Sequence, residues 1–374
     1  MQSNMHFWWR FFPRKKLSQF YLSTSIRAFA MSLTGLFIPL YLYNELGYTL
    51  SETLIFFVFY SLIFAIFTPV AAKYSSKFGI KHSVLISVPL YLIFVILLYL
   101  LNYFEISLLI ISSILGLSQA FYWMGLNLVF YNISDSKHRG EELGRSKSIN
   151  VVSAILAPIG GGFLITYHGF GIVFLLAALL LFISALALFR SNDNHIKYHF
   201  SVRSIFSRDK WQDSLFFVSK GTHAIAGGVI WPLFIFLILG SYISLGIVGS
   251  IISGLSAIIM LLVGKYSDKV GRRVILRWTT GLESLSWFFR AMVSSVGQVF
   301  GATIFGSITS GFVESPLGAL EYDKAKGDGA SYFVNREIFI CLGRILLLVI
   351  VMATNSLSGG LIFHGFMNFL TLIF

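Results

Sequence analysis

The sequence predicts an all-α integral membrane protein, with about twelve transmembrane helices in two pseudo-symmetric six-helix bundles. Three observations lead there. First, 56% of the 374 residues are hydrophobic and 12% are charged, with a mean hydropathy of +0.79. Apolar stretches of roughly 18 or more residues recur along the chain. They are continuous rather than alternating, which excludes an outer-membrane barrel. Second, the basic residues are placed asymmetrically. Of 28 Lys and Arg, all but Arg27, Lys220, Arg290, Arg336 and Arg344 fall in the N-terminal segment and in every second loop. This bias puts the N-terminus, the basic loops and the central linker in the cytoplasm. The net charge of +12 therefore reflects topology, not nucleic-acid binding. Third, the heptapeptide Lys73-Tyr74-Ser75-Ser76-Lys77-Phe78-Gly79 returns as Lys265-Tyr266-Ser267-Asp268-Lys269-Val270-Gly271. A basic loop repeated half a chain later points to a duplicated membrane unit.

The elements follow in order. The first residues, MQSNMHFWWRFFPRKK, are basic and aromatic but have no short apolar core with a small-residue cleavage site. They read as a cytoplasmic, interface-lying start, not a signal peptide. Span 1 (20–43) carries Arg27, Met31, Thr34 and Ile38 at helical spacing. Span 2 (53–72) ends at the first heptapeptide, and span 3 (83–101) starts behind it. Span 4 (107–131) places Gln119, Trp123 and Asn127 on one face. Span 5 (148–167) holds Ala157-Pro158-Ile159-Gly160-Gly161-Gly162, and span 6 (169–189) closes the N-terminal bundle, 1–189. Residues 190–213 are the longest polar stretch and form the central cytoplasmic loop. The C-terminal bundle, 214–374, repeats the order. Span 7 (214–239) carries Lys220, His223, Gly227 and Trp231, and span 8 (244–263) ends at the second heptapeptide. Span 9 (274–293) has Glu283 and Arg290 on one face. Span 10 (298–320) has Thr303, Ser307, Ser310 and Glu314. Span 11 (331–354) has Arg336, Glu337 and Arg344, and span 12 covers 357–374. Pro39, Gly47 and Arg27 align with Pro232, Gly240 and Lys220 at an offset of 193. By the heptapeptide offset of 192 the second half would reach its polar end beyond Phe374, so either the last helix is short or the sequence is cut short. The single cysteine, Cys341, lies in an apolar run and builds no disulfide framework.

Gly264-Lys265-Tyr266-Ser267-Asp268-Lys269-Val270-Gly271-Arg272-Arg273 resembles the loop signature of the major facilitator superfamily. That family carries the signature between helices 2 and 3 and again between helices 8 and 9. The first copy departs from it, with Ala72 for the leading Gly, Ser76 for the Asp and Ile80 for an Arg. The resemblance covers nearly the whole chain. It implies secondary transport by alternating access, with spans 1, 4, 7 and 10 lining a central path. Gly271 permits a tight turn, and Asp268 caps span 9 or pairs with a cation. Arg272 and Arg273 sit at headgroup level. The loop is then either a topology determinant with a cap, or a gating latch in which Asp268 pairs with Arg336. The span 5 segment resembles the Gly-Pro-x-x-Gly-Gly pattern of proton-coupled antiporters, with Ala157 in first place. Pro158, Gly161 and Gly162 are accordingly a hinge, or small residues that let helices approach closely.

Ionisable groups in lipid are costly and face a cavity or one another. The residues expected to bind substrate are Arg27, Gln119, Trp123, Asn127, Lys220, Trp231, Ser307 and Ser310. At about 1.5 Å per residue, Arg27, Lys220 and Glu314 share one depth. The two cations then face each other across the pseudo-twofold, with Glu314 near Lys220. Paired cations on spans 1 and 7 resemble the organophosphate antiporters of the superfamily, which hold an anion between the halves. Lys220 departs from them by lacking the arginine fork. Alternatively both cations snorkel to the headgroups. Glu314 and His223 are expected to carry a coupled proton. Glu283 and Arg290 read as a structural contact of a peripheral helix.

The predicted function is secondary active transport of a small organic solute, anionic or amphipathic, across the cytoplasmic membrane, coupled to an ion or proton. The alternative is a proton-coupled exporter of hydrophobic drugs, and more distantly a non-transporting receptor or scaffold. An enzyme is not expected. No His/Cys/Asp cluster has metal spacing, and no glycine-rich loop cradles a phosphate. The expected partners are a small-molecule substrate and the bilayer, with no cofactor, metal or nucleic acid, and the expected state is a monomer.

Overall fold

The computed structural model describes residues 15–133, 139–189, 198, 211–270, 272–325 and 329–374. In lipid each backbone N–H and C=O must be satisfied within the protein, and the long apolar runs achieve this as helices. Helix α1 (Lys15–Gly35) continues through a short helix at Ile38–Leu40 and a π-helical turn at Tyr41–Glu45. It is followed by α2 (Leu50–Phe78), α3 (Ile80–Leu100), α4 (Leu108–Ile133) and α5 (Arg139–Phe189). Gly169, at φ 76°, breaks α5 into two arms. Next, α6 (Trp211–Ile225) is joined to α7 (Trp231–Leu239) by a π-helical turn at Ala226–Ile230. Then come α8 (Tyr242–Val270), α9 (Arg272–Ala291), α10 (Val296–Lys324), α11 (Gly329–Thr354) and α12 (Leu357–Met367), with a final 3-10 turn at Asn368–Ile373. Among the described residues, nine helices are long and apolar enough to cross a membrane. The bent α5 counts once in that number, and the apolar segment Leu357–Ile373 falls short of the required length.

The internal repeat is visible in the backbone. Pro39 and Pro232 both occupy the first turn of a short helix beside a π-helical turn. Pro lacks an N–H, so the first turn, where that donor has no partner in the helix, suits it well. Gly47 and Gly240, at φ 72° and 61°, end the two interrupted spans. One expectation changes. The first heptapeptide is not a loop, because α2 runs through Lys73 to Phe78 and only Gly79, at φ 104°, breaks it. The side chains of Asp268, Gly271 and Arg272 lie outside the described residues.

Small residues set the closest helix crossings, as expected where lipid offers no hydrophobic drive between helices. A Cβ on Gly161 would stand 2.6 Å from the Leu33 carbonyl, and one on Gly162 would strike the Tyr242 carbonyl. Pro158 packs on Gly246 and Gly249 in the same seam. The expected hinge residues thus sit where α5 meets α1 and α8. Gly221 of α6 and Gly343 of α11 each abut the other helix's backbone, at the Ile340 and Val218 carbonyls. Gly343→Val is therefore expected to force these backbones apart, at a cost of about 1–3 kcal/mol or more. A lowered Tm relative to Gly228→Ala, where nothing lies within 4 Å, would show it.

Candidate functional site

Helices α1, α3 and α4 enclose Arg27, which is 1% exposed. Its guanidinium lies 3.6 Å over the Tyr122 ring. Nη1 donates to Ser87 Oγ at 3.0 Å, and that hydroxyl in turn donates to the Val84 carbonyl. Nε and Nη2 have no hydrogen-bond partner. Gln119, one turn before Tyr122 on α4, is 3% exposed and its Nε2 also lacks a partner. No carboxylate among the described residues sits against Arg27. Those of the first half whose side chains are described, Glu45, Glu52 and Glu105, lie at the helix ends away from the basic loops. Arg27 therefore does not snorkel. It is buried, stacked on an aromatic face, and leaves two nitrogens, Nε and Nη2, unpartnered.

Lys220 has a different environment. Its ammonium is paired with Glu321, so the carboxylate bonded to it is not the expected Glu314. The reason is helix length: α10 continues to Lys324, which carries Glu321 two turns past Glu314 on the same face. Glu321 is 2% exposed and also forms an ion pair with Arg336, its Oε2 lying 3.2 Å from Nε without hydrogen-bond geometry. Arg336 lies 3.8 Å from Glu337 and donates to Asn127 Oδ1 at 3.1 Å. Asn127 donates to Glu337 at 3.2 Å and accepts from Tyr322 at 3.2 Å. Asn127, read from sequence as a substrate contact, thus ties α4 to α10 and α11 near the basic ends. Arg336, read as the partner of Asp268, is held by Glu321, Glu337 and Asn127, while Arg273 is exposed.

The halves also meet at their other ends. Asn44 donates to the Tyr242 hydroxyl at 2.9 Å, and Tyr242 donates to Glu45 at 3.3 Å. At mid-depth, Arg344 donates to the Tyr60 hydroxyl at 2.9 Å. Trp123 packs in the nearby cluster of Phe64, Ala120 and Cys341.

A cavity of ≈ 60 Å³ lies between α6, α7, α8, α9 and α10. It is lined by His223, Trp231, Ser307 and Ser310, four residues singled out in the sequence, and by Glu283, Trp287 and Arg290, which were read as peripheral or not singled out. Arg290 is 4% exposed, with its guanidinium 4.2 Å over Trp287 and 5.3 Å from the Trp231 ring. Gly306 leaves the space that this guanidinium fills. Trp231 Nε1 and Arg290 Nε have no hydrogen-bond partner. Glu283 Oε1 lies 3.8 Å from His223 Nδ1, and Oε2 accepts from Asn368 at 3.5 Å. Glu314 interacts electrostatically with both His223 and Glu283. The expected group of Arg27, Lys220 and Glu314 thus resolves into three places: a bare cation in the first half, a compensated cation at the joined basic ends, and an acidic and histidine-rich cluster in the second half. The seven-residue spacing of Glu283 and Arg290 was the sequence signal for the last of these.

The family model of the Major Facilitator Superfamily matches residues 20–348. The Multidrug resistance protein MdtG of Proteus mirabilis is 28% identical over 288 residues, which cover 72% of this chain and 71% of that protein. A crystal structure of a bacterial homologue of the iron transporter ferroportin, in its outward-facing state, covers 96% of each chain with a TM-score of 0.66 at 13% identity. The human organic anion transporter MFSD10 (TETRAN) matches with a TM-score of 0.67 at 10% identity, over 96% of this chain and 98% of that one. At these identities the solved structures speak for the fold alone.

Proposed function

The chain belongs to the Major Facilitator Superfamily, a family of membrane transporters and not of enzymes, and from that premise we propose that it moves a small amphipathic organic anion by proton-coupled alternating access. In this reading twelve crossings form two six-helix halves, 1–189 and 214–374, joined by the loop 190–213. The N-terminus and basic loops lie on the cytoplasmic side of the cytoplasmic membrane. The protein works as a monomer on one small-molecule substrate in the bilayer.

The observation that carries the reading is Arg27. An ionised group withdrawn from water costs several kcal/mol unless it is paired and hydrogen-bonded. Stacking on Tyr122 and one bond to Ser87 compensate only part of that. A carboxylate, phosphate or sulfonate accepting from Nε and Nη2 would complete the set in the two-pronged geometry that arginine favours. The Gln119 amide supplies a further donor. Lys220 and Arg336 are already neutralised by Glu321 and Glu337, so the unmet positive charge in this part of the protein rests on Arg27. The test is a thermal-shift screen of the purified protein against organic anions, neutral sugars and hydrophobic cations. Stabilisation by anions is expected, and no response to any anion overturns the reading.

One observation favours a second reading, export of hydrophobic drugs: the likeness to a multidrug resistance protein at 28% identity. The aromatic walls formed by Trp231 and Trp287 agree with it. Stabilisation by hydrophobic cations that persists in Arg27→Gln would select this second reading.

A further inference from the structure

A directed chain of hydrogen bonds runs from α6 to α12 and back to α6, and its direction follows from counting protons. Thr222 Oγ1 lies 2.7 Å from the Ser219 carbonyl. A carbonyl only accepts, so the single hydroxyl proton is spent there; without it two oxygens would face each other at repulsive range. The same Thr222 oxygen lies 2.8 Å from His364 Nδ1. That bond needs a proton from the ring, so His364 carries its proton on Nδ1. His364 is fully buried, and its Nε2 is left as a lone pair. His223 Nδ1 lies against that lone pair at 3.2 Å, so His223 Nδ1 is also an N–H. One threonine thereby sets both tautomers.

The consequence is that His223 has one atom left that can gain or lose a proton, Nε2. The His223 side chain keeps 30% of its surface accessible, unlike His364, and borders the cavity. The charged groups facing it are Lys220 on its own helix, Glu283 and Arg290 on α9, Glu314 on α10 and His364 on α12. Lys220 is already paired with Glu321, and Arg290 is stacked on Trp287. Glu283 and Glu314 both lie within electrostatic reach of His223, where their negative charge favours an imidazolium.

We propose that His223 Nε2 is the proton-binding atom of this transporter, and that His364, oriented by Thr222, is the positioning residue that holds Nδ1 in its N–H form. A proton from cavity water adds to the Nε2 lone pair and leaves from the same atom. No proton passes beyond His364, because the chain ends on a backbone carbonyl. What the proton drives rests on the proton-coupled reading above; the binding atom does not depend on the substrate.

The test uses nitrogen NMR of the full chain, 15N-labelled at histidine, in lipid nanodiscs, with His223→Gln and His364→Gln assigning the two rings. Between about pH 5 and 8, His364 is expected to stay neutral with its proton on Nδ1. His223 is expected to titrate once, keeping Nδ1–H throughout. Thr222→Val is expected to release the lock, so that both rings show mixed tautomers. A proton on His364 Nε2, titration of His364 in place of His223, or unchanged tautomers in Thr222→Val would overturn the proposal. No substrate is added, so a failed anion screen and a failed proton site give separate results.

Discussion

Arg27→Gln is expected to abolish stabilisation by organic anions while leaving the ligand-free protein as stable as before, or more so. The two effects have different origins. In the empty protein the substitution removes a charge buried at 1% exposure with two nitrogens, Nε and Nη2, unpartnered. That relieves a desolvation cost of several kcal/mol. Against it stand the lost stacking on Tyr122, about 0.5–2 kcal/mol, and a charged bond to Ser87, about 1.5–3 kcal/mol. These roughly cancel, with the balance toward stabilisation. In the anion complex the sign reverses. Truncating one side of a buried charged pair costs about 2–5 kcal/mol, so affinity should fall by roughly thirtyfold or more. Arg27→Lys keeps the charge but loses the fork, and should bind anions weakly. Thermal shifts of the three proteins, with and without anion, are the measurement. A large loss of stability in Arg27→Gln with an unchanged anion response would make Arg27 a packing residue and sink the reading.

The second large effect is expected at Glu321. This carboxylate serves both Lys220 and Arg336. Glu321→Gln leaves two cations facing each other in a buried site, and breaking a buried pair by removing one partner costs about 3–5 kcal/mol. Because Arg336 also holds Asn127 of α4, the loss should loosen the contact between the halves at the basic ends. The chain carries its own reporter of that opening. Cys341 on α11 is fully buried at the junction with Phe64 and Ala120, so its alkylation should be slow in the native protein and faster in Glu321→Gln. The double variant Glu321→Gln/Lys220→Met removes one cation together with its partner and should recover part of the stability. Equal alkylation rates in native and variant protein would show that Glu321 does not hold the ends together.

The fold was legible because the membrane makes it so. Apolar length, the placement of Lys and Arg, and the heptapeptide repeated at residues 73 and 265 are all one-dimensional signals. They need no knowledge of which helix touches which. Even the paired interruptions at Pro39 and Pro232 could be read, because a proline acts on its own backbone. The site was legible only in part. Arg27, Lys220, His223 and Trp231 stood out as polar or bulky residues on faces of apolar helices. Which of them meet depends on where helices end and how they turn. Ending span 10 at residue 320 left Glu321 in a loop, so its pairing with Lys220 was not foreseen. Placing span 9 at the periphery hid Glu283 and Arg290, although their spacing had been noticed. His364 gave no signal of its own, since a lone histidine between Phe363 and Gly365 has no periodicity to betray a partner 141 residues away.

The sequence by itself determined the kind of protein, its many crossings and the expected sidedness of its charges, because bilayer thickness and dielectric act on each segment separately. The tertiary structure alone decided which charges are compensated. Hydrogen bonds and close ion pairs form only over a few ångströms, so the environments of Arg27, Glu321 and His223 are properties of helix contacts and not of any one helix.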